Sequence, residues 1–381
     1  MATFNRESKT FSELVTFTRA SSGWYWDETG TLQEAGTDEP RFDHDPVTGE
    51  ALGWLIEEQR TNRLLQSVDL TDAAWSKTRV AVTAGETGPD RTASAFLVTP
   101  SGTSDIISQA ASVSGAEVYT VSAFLKAGTG TEVAVVLTGA VGTTISAYFD
   151  LDSGSVTISA GASEVTDATI TPQGDGWYRA RVSFVTASGG GLVNFRLSSL
   201  AEAGATYYAA FPQFELGRTA SSPIMTNGAA ATRGMDNPAA VLPAAQAQTT
   251  GTIYFDFVDV SDISITLSLD RGSPGNRLQV GRSGSGTNRV IAVRASTATL
   301  DFSRSDTFKG AISYSSEGSI IAAMNGEPAQ EADAGMGSPP TVLEIGHGFD
   351  GAAPVTQAWI KEIRMYSRAL SADELEELTA L

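Results

Sequence analysis

The sequence predicts an all-β protein: two antiparallel β-sandwich domains, an N-terminal β-turn/strand segment and a short C-terminal helix. Three observations predict it. First, hydrophobicity alternates with a period of two. TTISAYFDLD (143–152) places Ile145, Ala147, Phe149 and Leu151 on one face, with Ser146, Tyr148, Asp150 and Asp152 on the other. ISITLSLD (263–270) sets Ile263, Ile265, Leu267 and Leu269 against Ser264, Thr266, Ser268 and Asp270. That pattern marks half-buried antiparallel strands. Second, turns rich in Gly, Ser and Asp interrupt the runs every ten or so residues, the spacing of sandwiches. Third, helix signals are scarce. The best is a capping box, Ser371 with Glu374, ahead of ADELEELTAL.

Composition divides the chain into four parts. Residues 1–63 are rich in charge and aromatics, and 64–226 form a Ser/Thr/Val/Gly region of alternating strands. Residues 227–251, NGAAATRGMDNPAAVLPAAQAQTTG, are rich in Ala and Pro without periodicity and read as a linker. A second strand-rich block fills 252–381; its Asn325-Gly326 is a strong hairpin signal, and GRSGSGTN (281–288) reads as a hairpin loop.

Charge and composition exclude several function classes. There are 25 Lys+Arg against 44 Asp+Glu, a formal charge of −19 that repels a phosphate backbone, so nucleic acid is not an expected partner. No cysteine is present, which removes disulfides, thiolate metal sites and Cys nucleophiles. No stretch approaches the roughly 20 apolar residues of a bilayer span, and MATFNRESKTFSELVTF lacks the apolar core of a secretory signal. The expectation is a protein made in the cytoplasm, without membrane insertion and without a signal peptide.

EPRFDHDPVTGEALGWLIEEQRTN (39–62) is the densest mixture of charge, Pro and Gly, and it holds His44, one of only 2 histidines. Asp43-x-Asp45 with Gly49 and Glu50 lacks the third ligand and the glycine position of a calcium loop. DPVTGE has the chemistry of a tight turn. His44 and His347 are expected in surface loops, and the acids of this stretch as turn and surface groups. The carboxylate pairs Asp150/Asp152 and Glu57/Glu58 do not read as a glycosidase couple in a cleft. Phosphate-binding loops, dinucleotide fingerprints and nucleophile elbows do not occur. The expectation is no enzyme, no catalytic residue, no metal and no cofactor.

Residues 17–75, FTRASSGWYWDETGTLQEAGTDEPRFDHDPVTGEALGWLIEEQRTNRLLQSVDLTDAAW, resemble the opening of a family of phage and prophage-like virion proteins. These are tail-fibre, minor tail and head-spike proteins, including those of gene-transfer particles. The resemblance continues in Gly176-Trp177-Tyr178-Arg179 and in FELGRTASSPIMTNGAAATR (214–233), although SSPIM departs from the family's aromatic-containing stretch. It implies a jelly roll similar to carbohydrate-binding modules over 64–226. The last block resembles laminin-G/concanavalin-like sandwiches through Met324-Asn325-Gly326-Glu327 and WIKEIRMYSRALSADELEEL (359–378). The stretch 39–62 then reads as the structural lead-in, with Trp54, Leu55 and Ile56 packing against the jelly roll.

What the resemblance implies is a structural spike or fibre protein at the virion surface. It would bind host surface polysaccharide, meet other virion proteins through residues 1–63, and form a homo-oligomer, with a trimer favoured. A polysaccharide-degrading spike enzyme and a secreted bacterial lectin or adhesin are the alternatives.

Strand parity nominates a binding face independently of the family. In DGWYRARVSFVTASGGGLVNFRLSSL (175–200), two alternating runs flank Ser188-Gly189-Gly190-Gly191 and are expected to pair as a hairpin. Tyr178, Ala180, Val182 and Phe184, with Val193, Phe195 and Leu197, would face the core. Trp177, Arg179, Arg181, Ser183, Asn194 and Arg196 would then share the outer face. Three arginines gathered there need compensation. Either neighbouring acids such as Asp150 or Asp152 supply it and Trp177 packs under a loop, or the face is a saccharide site. In the second case Trp177 stacks on a sugar ring while the arginines hold hydroxyls or carboxylates. The carbohydrate-binding candidates are therefore Trp177, Arg179, Arg181, Asn194 and Arg196.

Overall fold

A computed structural model describes residues 2–5, 15–102, 105–199, 204–242, 249–259, 264–271, 275–283, 287–293, 297–315, 318–334, 338–348 and 354–380. The fold is all-β. Antiparallel sheets pair into two sandwiches, and one short helix, Ala372–Thr379, closes the described chain. Ser371 caps that helix, with the Glu374 side chain returning to the cap's N–H.

The first sandwich is built from two six-stranded sheets. One runs Val165–Pro172, Trp177–Val185, Val118–Ala127, Tyr207–Leu216, Ala95–Pro100, Val80–Glu86; the other runs Ser155–Ala160, Ile145–Asp150, Glu132–Gly139, Gly191–Ser199, Ile106–Val113, Ser76–Thr78. Alternation fixes the inner faces: Val121, Val182 and Phe184 of one sheet meet Ile145, Phe149 and Phe195 of the other, all essentially without solvent contact.

The strands at 177–185 and 191–199 do not form the expected hairpin. Trp177–Val185 pairs with Val118–Ala127 and Val165–Pro172, whereas Gly191–Ser199 pairs with Ile106–Val113 and Glu132–Gly139. The Gly-rich connection at 186–190 carries the chain from one sheet to the other. Parity correctly assigns which residues face the core, but it is silent on which sheet each strand joins.

The second sandwich draws on three separated stretches of chain. Its eight-stranded sheet runs Glu327–Ala332, Ile320–Met324, Thr307–Tyr314, Gly251–Asp259, Gln357–Tyr366, Ala51–Glu57, Arg41–His44, with Ala2–Asn5 also paired to Gln357–Tyr366. Its seven-stranded sheet runs Thr16–Thr18, Asn237–Val241, Val342–Ile345, Ser264–Asp270, Arg277–Arg282, Asn288–Val293, Thr297–Phe302. Val15, Phe17, Phe42, Trp54 and Ile56 share one apolar core with Ile253, Phe255, Leu267 and Ile360. The residues read as a jelly-roll lead-in thus complete the other sandwich, and the stretch read as a linker contributes the strands Ala231–Arg233 and Asn237–Val241. Gly53 permits this pairing: its φ is +119°, and a Cβ there would meet the Ile360 carbonyl oxygen at 2.4 Å.

One further expectation changes and another holds. In Ser264–Asp270 both faces are buried, Ser264, Thr266, Ser268 and Asp270 included. These polar side chains bond to protein: Ser268 Oγ donates to Asp270 Oδ2 at 3.0 Å and accepts from Gln279 Nε2 at 3.4 Å. Ile263 lies outside the described residues. The hairpin around 281–288 forms between Arg277–Arg282 and Asn288–Val293, with 284–286 outside the described residues.

Candidate functional site

The sequence around Glu57 builds a buried ionic network. Arg41 donates to Glu57 Oε2 at 2.6 Å and bonds Asp236; Arg233 reaches Glu57 Oε2 at 2.9 Å; Arg19 donates to Asp236 Oδ1 at 2.9 Å. All five side chains are out of contact with solvent or nearly so. Ser222 donates to both Glu57 oxygens, through its N–H at 2.8 Å and its hydroxyl at 2.6 Å. Backbone carbonyls take further arginine protons, Gly36 O and Glu39 O from Arg19 and Glu58 O from Arg233. Burial by itself would raise the Glu57 pKa; Arg233 and Arg41 more than reverse this and hold it at about 2. Burial also opposes the charge on Arg41, but Asp236 and Glu57 keep its pKa above the ordinary value.

These residues lie within the stretches that carry the virion-protein resemblance: Arg19 in FTRAS, Arg41 in PRF, Glu57 in LIEE, Arg233 in ATR. Asn62 of RTN belongs with them, since its side chain accepts from Leu64 N and Phe214 N and donates to Pro212 O and Ile224 O. They join the N-terminal segment, the exit of the first sandwich and the entry to the second. Glu57 and Asp43 are accordingly buried, not the surface acids expected, because their partners arrive from residues far off in sequence.

Beside this network lies a cleft of about 950 Å³ between the two sandwiches. Its floor is the outer face of the first sandwich, where Arg179 and Arg181 stand next to Thr171 and Thr169 on the adjoining strand. One wall is the small hairpin Gly23–Trp26 with Leu32–Ala35, which presents the half-buried Trp24, Tyr25 and Trp26. The 217–223 segment forms a second wall, and Leu55, Gln357 and Trp359 of the second sandwich a third.

The acids of the cleft are engaged. Glu58 pairs with Arg60 at 2.6 Å, Asp167 pairs with Arg181, and Asp306 pairs with Arg282 at 2.8 Å. Asp43 accepts from Trp26 N and Trp359 Nε1, both at 2.7 Å. Burial pushes its pKa up to about 6 despite those two donors. Among the described residues, no three His, Asp or Glu side chains converge as a metal site requires.

The nominated carbohydrate residues separate. Arg179 and Arg181 lie in the cleft. Trp177 is 2 % exposed and packs against Leu32, Phe124, Ala210 and Phe211, so it cannot stack on a sugar; it supports the cleft floor from within. Asn194 and Arg196 face outward from the opposite sheet, next to Ala110 and Ser108, with the whole sandwich between them and the cleft. Arg181 finds its counter-charge in Asp167, not in Asp150, whose carboxylate instead caps its own turn through Asp152 N and Ser153.

Neither a protein-family profile nor any curated protein matches the chain. Solved structures resemble parts of it. The Ruminococcus gnavus IT-sialidase CBM40 is 19 % identical with a TM-score of 0.30, over 36 % of this chain and 85 % of that one. The leech intramolecular trans-sialidase is 21 % identical with a TM-score of 0.29, over 35 % of this chain and 24 % of that one. The binding domain of Botulinum neurotoxin serotype D is 13 % identical with a TM-score of 0.31, over 38 % of this chain and 40 % of that one.

His44 and His347 are both buried, where surface loops were expected. His44 sits in the strand Arg41–His44, its Nδ1 3.1 Å from Trp26 O and its ring edge-on to Phe42. His347 has Nε2 within hydrogen-bond distance of Asn237 Oδ1. The turn reading of DPVTGE holds: Asp45 Oδ1 accepts from Val47 N and Thr48 N, and Gly49 N returns to Asp45 O. What the sequence reading missed is the aromatic wall. Trp24-Tyr25-Trp26 ahead of Asp27-Glu28-Thr29-Gly30 carried a hairpin signal that the nearby charge overshadowed.

Proposed function

We propose that this chain is a structural spike or fibre protein of a phage or phage-like particle, and that its cleft binds host surface polysaccharide without catalysis. One observation carries the binding reading: a floor of guanidinium and hydroxyl groups faces a wall of half-buried aromatic rings. Sugars present alternating polar edges and apolar C–H faces, and such a site offers a partner to each. Particle membership is supported by the resemblance at residues 17–75 and 214–233, stretches that hold Arg19, Arg41, Glu57 and Arg233 of the buried network.

The non-catalytic reading follows from the occupancy of the acids. A glycosidase keeps two carboxyl groups free to reach the glycosidic oxygen and a water or anomeric carbon. Asp43, with its pKa of about 6, is the one cleft acid that favours an enzyme. Both of its oxygens are already taken by Trp26 and Trp359, so it acts as a tether between the aromatic hairpin and the second sandwich.

Binding of the purified full chain to capsule or lipopolysaccharide from candidate host cells, read by biolayer interferometry, tests the reading. Retention without release of new reducing ends is expected. Release of reducing ends would favour the spike enzyme, and the absence of this chain from purified particles by mass spectrometry would remove the virion role. A homo-oligomer, with a trimer favoured, completes the proposal; a monodisperse monomer in light scattering at high concentration would count against it.

A further inference from the structure

Arg179 differs from Arg60 and Arg181 of the cleft in its charge partners. Register places it between Phe124 and Thr171. Its guanidinium lies 5.0 Å over the Phe124 ring, and Nη2 donates to Ser122 Oγ at 3.1 Å. Its Nε is buried and meets no acceptor among the described residues, a feature it shares with Arg60 and Arg181. Among the described residues no carboxylate pairs with it, whereas Arg60 and Arg181 each hold one. The acid acting on it most strongly, Glu215, is consumed by Gln213 Nε2 at 2.7 Å, Ser221 N at 2.9 Å and Ser221 Oγ at 2.8 Å. Burial accordingly pushes the Arg179 pKa down to about 10.

Arg179 is half-buried, and a partly desolvated cation without a counter-ion still costs the fold stability. In a chain of formal charge −19 there is no shortage of acids to neutralise it. Removing that cost would take a single carboxylate on the neighbouring strand, at Thr171 for example. The cost is removed equally well when a ligand brings the negative charge.

We propose that Arg179 anchors the carboxylate of an acidic sugar residue, a uronic or nonulosonic acid, within the polysaccharide bound by the cleft. This rests on the reading of the cleft as a glycan site and narrows it. The guanidinium is a planar fork that receives a carboxylate through parallel N–H donors, and Phe124 behind it holds that plane. One uncompensated positive charge matches a monoanion better than a phosphate monoester, which carries nearly two charges at neutral pH. Thr169 and Thr171 offer hydroxyls to the same sugar, and the Trp24–Trp26 wall offers apolar surface to the next.

The test compares tetragalacturonate and a hyaluronan hexasaccharide with their carboxyl-reduced counterparts, by calorimetry on the full chain at physiological salt, with dextran sulfate as the polyanion control. At least tenfold tighter binding of a uronate than of its reduced form is expected. Arg179→Met should abolish that preference while leaving the melting temperature unchanged or raised, which a merely structural arginine would not do. Arg179→Lys keeps the charge but not the fork and should retain only part of the preference; it carries the test if the Met variant fails to fold. Equal binding of acid and reduced forms, an unaltered preference in Arg179→Met, or equal binding of dextran sulfate overturns the inference and leaves glycan binding standing. Failure of all these sugars to bind, while host polysaccharide binds, also overturns it. If host polysaccharide fails too, the glycan reading falls with it.

Discussion

Asp236 and Glu57 are joined twice through the backbone: Asp236 Oδ2 accepts from Glu57 N at 2.8 Å, and Glu57 O accepts from Asp236 N at 3.0 Å. The Asp236 carboxylate of the buried network is thus tied to the Glu57 backbone as well as to the arginines. Asp236→Ala strips counter-charge from Arg19 and Arg41 and leaves buried cations behind. The expected cost is about 3–5 kcal/mol, seen as a lowered urea midpoint with unchanged slope. A loss under 1 kcal/mol would show that the network is not what joins the pieces.

Two buried acids give opposite pH dependences. Glu57 has a folded pKa of about 2, below its unfolded value. Its contribution is present above about pH 4.5 and is lost as pH falls toward 2. Asp43 has a folded pKa of about 6, above its unfolded value. Its contribution is present below about pH 4 and is lost as pH rises through 6. Each is worth roughly 3 kcal/mol, so these two groups together place the stability maximum near pH 4–5. In Asp43→Asn the decline between pH 4 and 7 should flatten in denaturant titrations. An unchanged slope would deny Asp43 the role.

Trp177→Ala should cost about 3–5 kcal/mol through the cavity left among Leu32, Phe124 and Phe211. Arg196→Ala, on the far sheet, should change neither stability by more than about 0.5 kcal/mol nor any binding in the cleft. Loss of glycan binding in Arg196→Ala would mean that the binding face lies on the opposite sheet.

Gly53→Ala forces a side chain against the Ile360 carbonyl at a φ of +119°. We expect roughly 1–3 kcal/mol of destabilisation, measured by thermal unfolding. A variant as stable as the parent would show that the two strands can part here without cost.

Residues 252–381 expressed alone lack Arg41–His44, Ala51–Glu57 and Asn237–Val241, strands that sit within or at the edge of both sheets. The fragment should show no cooperative melting by circular dichroism. A cooperative transition would restore the boundary drawn from composition.

The fold class and the inward residues of most strands were legible because alternation is local: Ile145 to Leu151, and Tyr178 to Phe184, read correctly from a few neighbours. Membership of a sheet was not legible. The Gly-rich 188–191 stretch fits a hairpin and an inter-sheet crossing equally, and only packing decides. The buried charges were hidden for the same reason. Glu57 looks like a surface acid until Arg233, far along the chain, closes on it. Of the candidate site, Arg179 and Arg181 were found by their departure from apolar periodicity, whereas Trp177 was misplaced because a tryptophan on an outward face looks exposed unless a second element covers it.

The route of the chain through the second sandwich has a consequence for how the protein comes to be folded. Strand Ala51–Glu57 pairs locally with Arg41–His44, but its other edge finds a neighbour only in Gln357–Tyr366, some 300 residues later. The first sandwich, contained within the intervening stretch, can condense on its own as synthesis proceeds. The early strands, with Phe42, Trp54 and Ile56, must meanwhile wait with their edges unpaired. Closing so distant a contact makes the final step slow. The interval before residues 357–366 emerge is the period when this chain is most exposed to mispairing with copies of itself.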